Sequence, residues 1–203
     1  MKHQGLSRSD AFLKRLFDLA LSGAGLLIGW WLIALLMIAA TFDTRRVGLF
    51  AQVRIGRHGV PFTVYKIRSM RPVEGVDTTV TTVKDARITP FGALLRRYKL
   101  DELPQLINVF MGDMSFVGPR PDVAGYADRL EGDDRIVLSV RPGITGPASL
   151  KYRDEEEILA RQPEPQRYND EVIWPDKVRI NRAYVEQWSF NADLHYLWRT
   201  LKG

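Results

Sequence analysis

From Leu19 to Phe42 the sequence carries no charged residue. Coiled as an α-helix, that run covers roughly 36 Å against about 30 Å of bilayer hydrocarbon, so it is long enough to span a membrane. Length alone favours a single-span anchor. The flanks favour something else. Lys14 and Arg15 precede the run and Arg45, Arg46, Arg54 and Arg57 follow it, whereas Lys and Arg gather on the cytoplasmic side of a membrane. A re-entrant helix that enters and returns to one leaflet reconciles the two ends. The chain then divides into residues 1–45, a re-entrant membrane-associated helix with its flanks, and residues 46–203, a cytoplasmic domain. Gly23, Gly25 and Gly29 are the residues available to loosen the helix, though glycine costs only about 1 kcal/mol there against roughly 3 for proline. Gly25 and Gly29 also form a GxxxG, a helix-packing pattern that is common by chance. No small-residue cleavage motif follows the run, so the segment is expected to be retained.

Beyond the run the periodicity changes. Phe50 to Met70 alternates apolar and polar residues around Gly56 and Gly59-Val60-Pro61, which predicts a β-hairpin. Met70 to Asp85 reads as a loop or weak edge strand. Phe91 to Lys99 has Leu94, Leu95 and Tyr98 at helical spacing and basic residues near its end. A break at Leu100-Asp101 makes Asp101 the cap of a second helix, with Pro104 in its first turn where proline is tolerated. Gly132 to Gly146 carries turns at both ends and a strand-like apolar run between them. Glu155 to Arg161 is a charged, solvated helical face, and Pro163 to Pro175 reads as irregular. Asp176 to Lys202 forms a basic amphipathic helix or pair. Its Tyr184, Trp188, Tyr196 and Trp198 suit a membrane interface or a packed core equally. The fold class expected is α+β, mainly helical, with a small hairpin and interfacial helices.

Composition narrows the chemistry. With no cysteine, disulfides and cysteine-rich zinc sites are excluded, and His3, His58 and His195 lack metal-ligand spacing. The formal charge of +5 suits an anionic surface or substrate. No zinc-finger or RNP signature accompanies it, so nucleic acid is not the expected partner.

The chemistry concentrates in Lys99–Pro121, KLDELPQLINVFMGDMSFVGPRP. Asp101 and Glu102 stand side by side, and Arg120 is held between Pro119 and Pro121. A carboxylate with an ordinary pKa near 3.9 is ionised at neutral pH and needs no base to act as a nucleophile. A guanidinium offers a planar fork to phosphate oxygens, and flanking prolines restrict its backbone. Together they point to phosphoryl or phospho-sugar transfer. Asp113 reads as a cap for the Gly112 turn rather than a ligand. A membrane-anchored binding or scaffold protein is the competing class, but it needs neither feature in this order. An aspartyl-phosphate hydrolase is disfavoured because its DxDxT signature is absent.

This segment resembles the signature of the bacterial sugar transferases called monotopic phosphoglycosyl transferases. Lys14-Arg15-Leu16-Phe17-Asp18, the block Gln52, Arg54, Gly56, Gly59, Phe62 and Lys66-Ile67-Arg68-Ser69-Met70 also match in order and spacing. So do Asp85, Arg87-Ile88-Thr89, Gly92, Leu95-Arg96, Asn108, Gly112-Asp113-Met114-Ser115 and Arg141-Pro142-Gly143-Ile144-Thr145-Gly146. The resemblance implies a re-entrant helix, usually broken by a Ser-Pro pair that is missing around Gly29-Trp30-Trp31. It implies that Asp101 attacks the sugar-bearing phosphate of a UDP-sugar, releasing UMP, and that a polyprenol phosphate then takes the phospho-sugar. Glu102 is then the metal or acid–base partner, and Arg120 a phosphate binder. Lys66, Arg68, Arg87 and Arg96 are further phosphate candidates, and Arg141 borders the nucleotide site. A diphosphate facing two carboxylates calls for a cation, and Mg²⁺ held by Asp101 and Glu102 is the expectation. The setting implied is the cytoplasmic face of a bacterial inner membrane, and a homodimer stays open. Pro147-Ala148-Ser149-Leu150-Lys151-Tyr152-Arg153-Asp154-Glu155 departs from the family's Trp-Gln and Gly-Arg pattern, so the sugar is not transferable.

Overall fold

The computed structural model describes residues 5–73 and 85–202. Ser7 starts the first helix, α1 (Arg8–Thr44), by accepting at Oγ from the Asp10 amide at 3.2 Å. The helix runs without a break for 37 residues, about 55 Å. The glycines do not interrupt it. Gly23 and Gly25 instead face Phe110 and Leu106 of a helix packed across α1, and Gly29 faces open space.

Both ends of α1 are fastened to the rest of the chain. Near its start, Lys14 forms a buried ion pair with Asp193. Arg15 donates to the carbonyls of Val109 at 2.6 Å and Phe110 at 2.7 Å. Asp18, 1% exposed, accepts at Oδ1 from Ser115 Oγ and the Phe116 amide, each at 3.1 Å. Near its end, Ala40 is buried with Ile67 and Leu95, against Leu36, Met37 and Leu100.

The alternating segment forms the expected hairpin, β1 (Leu49–Ile55) antiparallel to β2 (Pro61–Ile67), with Leu49 opposite Ile67 and Ile55 opposite Pro61. Cross-strand partners share a face, so Gln52, Arg54, Phe62, Val64 and Lys66 lie on one side. The expectation for Met70–Asp85 falls largely outside the described residues; at its margins Met70 bridges Ile88 and the Arg71 amide donates to the Arg87 carbonyl. Thr89 caps α2 (Pro90–Arg97) through the Gly92 amide at 2.8 Å. Then come α3 (Gln105–Met111), β3 (Ser115–Val117) and β4 (Gly143–Thr145), the last two parallel with Ser115 opposite Gly143. A Cβ on Gly143 would fall 2.1 Å from the Gly118 nitrogen, so this close backbone approach requires glycine.

Between these strands the apolar run expected as a strand is a 3-10 helix, Gly132–Ser139. Three consecutive residues, Ile136, Val137 and Leu138, are all buried. Val137 and Leu138 pack with Ile55, Ala127 and Val178, while Ile136 packs with Val117, Val140 and Tyr184. Serving two clusters from adjacent positions requires a wound chain rather than an alternating one.

The remainder is helical: α4 (Pro147–Lys151), α5 (Glu155–Ala160), α6 (Pro165–Tyr168), α7 (Trp174–Glu186) and α8 (Phe190–Lys202). Pro163 to Pro175 is therefore not irregular. Pro165 and Pro175 occupy first-turn positions, and a π-turn over Asn169–Ile173 links α6 to α7. The basic C-terminal segment is a pair, and its aromatics divide. Tyr184 is buried and Trp188 and Tyr196 pack against its cluster, whereas Trp198 is 57% exposed beneath Lys202.

Candidate active site

The Asp101-Glu102 pair does not cap a helix. Lys99 adopts a left-handed conformation (φ 56°), and Leu100–Glu102 form a 3-10 turn ahead of α3, which begins at Gln105 with Pro104 in the capping place. The Asp101 side chain makes no capping bond. Its Oδ1 is buried and accepts no hydrogen bond, so the atom is a bare lone-pair bearer in a protein interior. Burial pushes the Asp101 carboxyl above its ordinary value; Lys66 opposes this and the neighbouring Glu102 charge adds to it.

Glu102 is the opposite case. Its Oε1 accepts from Lys66 Nζ at 3.1 Å and from Arg120 Nη2 at 2.5 Å. Burial works against the charged form, but Arg120 and then Lys66 outweigh it and hold the carboxyl far below its ordinary range. Lys66, in turn, is pulled below its ordinary value by burial, against the attraction of Glu102. The two neighbouring carboxylates are thus treated differently: Glu102 Oε1 holds two cations, while Asp101 Oδ1 accepts no hydrogen bond.

Arg120 reaches this point because the Pro119–Pro121 turn is clamped from behind. The Gly143 amide donates to the Pro119 carbonyl at 2.8 Å, and the Gly118 amide to the Thr145 carbonyl at 2.9 Å. The Arg141–Gly146 stretch therefore positions the arginine turn by backbone contact. Lys66 arrives from β2, which Asn108 of α3 holds in register: its Nδ2 donates to the Thr63 carbonyl at 2.7 Å and its Oδ1 accepts from the Tyr65 amide at 3.1 Å.

The other arginine candidates are not gathered on Glu102. Arg96 pairs with Glu156 of α5, while remaining close enough to stabilise the Asp101 charge. Arg87 grips Asp85 with Nε at 2.9 Å from Oδ1 and Nη2 at 2.6 Å from Oδ2. Arg68 donates to the Val47 carbonyl at 2.8 Å and stacks on Phe50. Arg141 donates to the Gly112 carbonyl at 2.7 Å, in the turn that ends α3, with the Asp113 amide donating to the Asn108 carbonyl. Guanidiniums are alike in sequence; what separates these is the acceptor each finds in the fold.

The sequence names Arg54 only as a flanking charge and a matched position, without a site role, and does not single out Asp122. Arg54 lies on the Lys66 face of the hairpin, two residues from Gln52, which strand alternation alone would have indicated. Asp122 follows the arginine turn, and burial pushes its carboxyl up to about 6, against the pull of Lys177 and Arg54. Lys177 also pairs with Glu155 of α5 at 2.6 Å, so the segment that departs from the family pattern reaches the edge of this charge cluster. The Glu155–Arg161 face is accordingly not merely solvated.

Among the described residues no three His, Cys, Asp or Glu side chains converge as a metal cage. The donor set suits a cation that takes one or two carboxylates and completes its shell with phosphate oxygens and water, as Mg²⁺ does. Asp101 and Glu102 are the carboxylates that such an ion would use.

Residues 9–203 match the family model described as "Bacterial sugar transferase". The chain is 37% identical over 194 residues to the "Uncharacterized sugar transferase EpsL" of Bacillus subtilis, covering 94% of this chain and 86% of that one. It is 34% identical over 203 residues to the UDP-glucose:undecaprenyl-phosphate glucose-1-phosphate transferase of Escherichia coli, covering 97% of this chain and 41% of that one. It is 33% identical over 214 residues to the undecaprenyl-phosphate galactose phosphotransferase of Salmonella typhimurium, again 96% against 41%. The chain therefore spans about two-fifths of the length of the two enteric relatives.

Proposed function

Because the chain belongs to the bacterial sugar transferase family, we propose that it transfers a phospho-sugar from a UDP-sugar to a polyprenol phosphate at the cytoplasmic face of the bacterial inner membrane. The observation that carries this reading is the asymmetric dyad: a buried Asp101 oxygen without a donor, beside a Glu102 that holds Lys66 and Arg120 in place. An uncompensated carboxylate oxygen inside a cationic cradle is arranged to meet phosphorus, not to stabilise a fold.

Asp101 attacks the sugar-bearing phosphorus. The new Asp–O–P bond forms as the bond from that phosphorus to the bridging oxygen breaks, and the electron pair leaves on UMP. A phosphate oxygen of the polyprenol then attacks the same phosphorus and returns the Asp101 carboxylate. Arg120, its fork partly spent on Glu102, keeps donors for the non-bridging oxygens where charge builds. Mg²⁺, held by Asp101 and Glu102, would supply charge neutralisation for the diphosphate. Chelation with EDTA is expected to stop UMP release and added Mg²⁺ to restore it; unchanged activity after metal stripping counts against the ion.

The exposed face of α1 supports the membrane placement. Leu27, Ile28, Trp30, Trp31, Leu35 and Ile38 are exposed, while both ends of the helix are fastened to one globular body. This attachment supports a helix whose two ends stay on the same side of a bilayer, with its bare face toward lipid. The decisive assay is UMP release across a panel of UDP-sugars with polyprenol phosphate, followed by intact-mass analysis without acceptor. A mass gain of one phospho-sugar on Asp101 is expected. No UMP from any donor refutes the reading.

A further inference from the structure

We propose that Arg54 forms, beside Arg120, a second anion subsite that receives the phosphate of the leaving nucleotide; the proposal rests on the transfer reaction above and assigns its other half.

Arg54 is built for this place. Gln52 Oε1 accepts from both its Nε, at 3.1 Å, and its Nη2, at 2.7 Å, which fixes the plane of the fork. Its Nη1 points at the carbonyl of Pro121, 3.4 Å away, immediately after Arg120. The Ile55 amide donates to the Asp122 carbonyl at 2.8 Å, locking the end of β1 onto the same turn. Two guanidiniums are thereby set next to each other from different elements.

The second guanidinium is not balanced in the way its neighbours are. Lys66 and Arg120 share Glu102, Arg96 has Glu156 and Arg87 has Asp85. Arg54 forms no ion pair with a carboxylate among the described residues; its hydrogen bonds go to an amide oxygen and a carbonyl. Burial first, and then the like charge of Arg120, weaken its hold on its proton. The carboxylates of Asp122 and Glu102 act on it only at a distance, so a rigid guanidinium whose bonded acceptors are neutral, beside another cation, would gain from an anion that comes between the two.

Position decides which anion. Arg120 links the two places: its Nη2 meets Glu102, the residue next to Asp101, while the carbonyl of the following Pro121 faces Arg54 Nη1. Arg120 therefore lies between the Asp101 turn and Arg54 along this chain of contacts. A diphosphate laid along this line puts one phosphoryl group at Asp101 and Arg120 and the other at Arg120 and Arg54. The bond that breaks lies between them, its electron pair passes to the bridging oxygen of the nucleoside monophosphate, and no proton need move. A bidentate fork on that product phosphate matches the guanidinium geometry.

The test uses the full chain in detergent and product inhibition as its readout, because UMP keeps the leaving phosphate and uridine lacks it. Arg54→Gln should raise the inhibition constant of UMP at least tenfold and leave that of uridine unchanged. It should also lower kcat/KM for the donor, with the KM of the polyprenol phosphate unmoved. Gln52→Leu, which frees the fork without removing it, should shift UMP inhibition the same way by a smaller factor, and Arg54→Lys should fall between wild type and Arg54→Gln. Should Arg54→Gln fail to fold, the Gln52→Leu and Arg54→Lys variants decide. UMP inhibition within twofold of wild type in a folded variant overturns the subsite while the transfer reaction stands. Absence of UMP release by the wild-type protein from every donor overturns both.

Discussion

Asp101→Asn separates the catalytic and structural consequences of one atom. The substitution keeps the shape of the side chain and removes its charge. In the folded protein Oδ1 is buried without a donor, and leaving a charged acceptor unmatched costs on the order of 1–3 kcal/mol. The linkage has a definite sign. Burial raises the folded pKa of Asp101 above its ordinary value of 3.8, so the protonated form is favoured by folding. That stability is fully present below the ordinary value and is lost as pH rises through the raised one. At pH 7.5 the ionised side chain is therefore a net cost, of which Asn removes the charged part and keeps only the smaller cost of an unpaired amide. We expect Asp101→Asn to be more stable than wild type by about 1–3 kcal/mol at neutral pH, a rise in Tm of roughly 2–12 °C for a domain of this size. The difference should shrink as pH falls toward the ordinary carboxylate range. UMP release should drop by several orders of magnitude in the same preparation, since removal of a nucleophile does that. Intrinsic fluorescence melts in detergent at pH 7.5 and 5, without nucleotide, supply the stability half, and a coupled UMP assay the other. A variant that melts lower than wild type at pH 7.5, or that still turns over, shows that Asp101 is a structural acid and not a poised nucleophile.

Asp122, pushed up to about 6 by burial, should behave alike without the catalytic penalty of a lost nucleophile: a shift of about two pKa units makes Asp122→Asn roughly 3 kcal/mol more stable above pH 7, a gain absent below about pH 4, as urea unfolding at the two extremes would measure. Lys14→Met leaves Asp193 buried without its cation and should cost about 3–5 kcal/mol by urea midpoint. Lys14→Met/Asp193→Asn should recover part of that, because Asn removes the buried charge and keeps one oxygen for the Tyr184 hydroxyl, but sets an NH2 against the Trp188 indole that now donates to the other carboxylate oxygen. The sequence has no cysteine, so single cysteines at Ser9 and Lys202 can be labelled cleanly; in intact cells both should resist an impermeant thiol reagent, and labelling of the Ser9 site alone would show a spanning helix.

What could be read from the sequence follows the range of the interactions concerned. The hairpin, the Thr89-capped helix and the C-terminal helix pair are decided within a dozen residues, and their periodicity is enough. The dyad and Arg120 are visible because their spacing and neighbours are distinctive. Helix starts are less legible: a left-handed Lys99 and one 3-10 turn move the beginning of α3 to Gln105, and Asp101 changes from a cap into an unsatisfied acceptor. Least legible is which arginine serves the site. Arg96 is drawn toward a glutamate 60 positions away in the chain, and Arg141 toward a carbonyl 29 positions away. Neither partner leaves a local mark. Arg54 did leave one, because alternation across the hairpin puts it on the face of Lys66.

The long helix shows the same limit and a way around it. Its most apolar 18-residue window has a mean hydropathy of 2.2, which by composition is a membrane span. Yet Lys14, Asp18 and Ser22, spaced four apart, are all buried in the protein, as are Ala40 and Thr44 further along the same helix. The outward residues are Leu27, Ile28, Trp30, Trp31, Leu35, Ile38 and Phe42. In a protein surrounded by water, the stripe of polar residues on a surface helix faces solvent and the apolar stripe faces the core. Here the order is inverted. Water would penalise the outer face, which lipid would satisfy, while the partners Asp193, Ser115 and the Phe116 amide satisfy the inner one whatever the solvent. Fastened at residues 14–18 and again at residue 40 to the rest of the protein, the helix needs no break for the proposed arrangement in which both of its ends stay on one side of a bilayer and its bare face meets lipid.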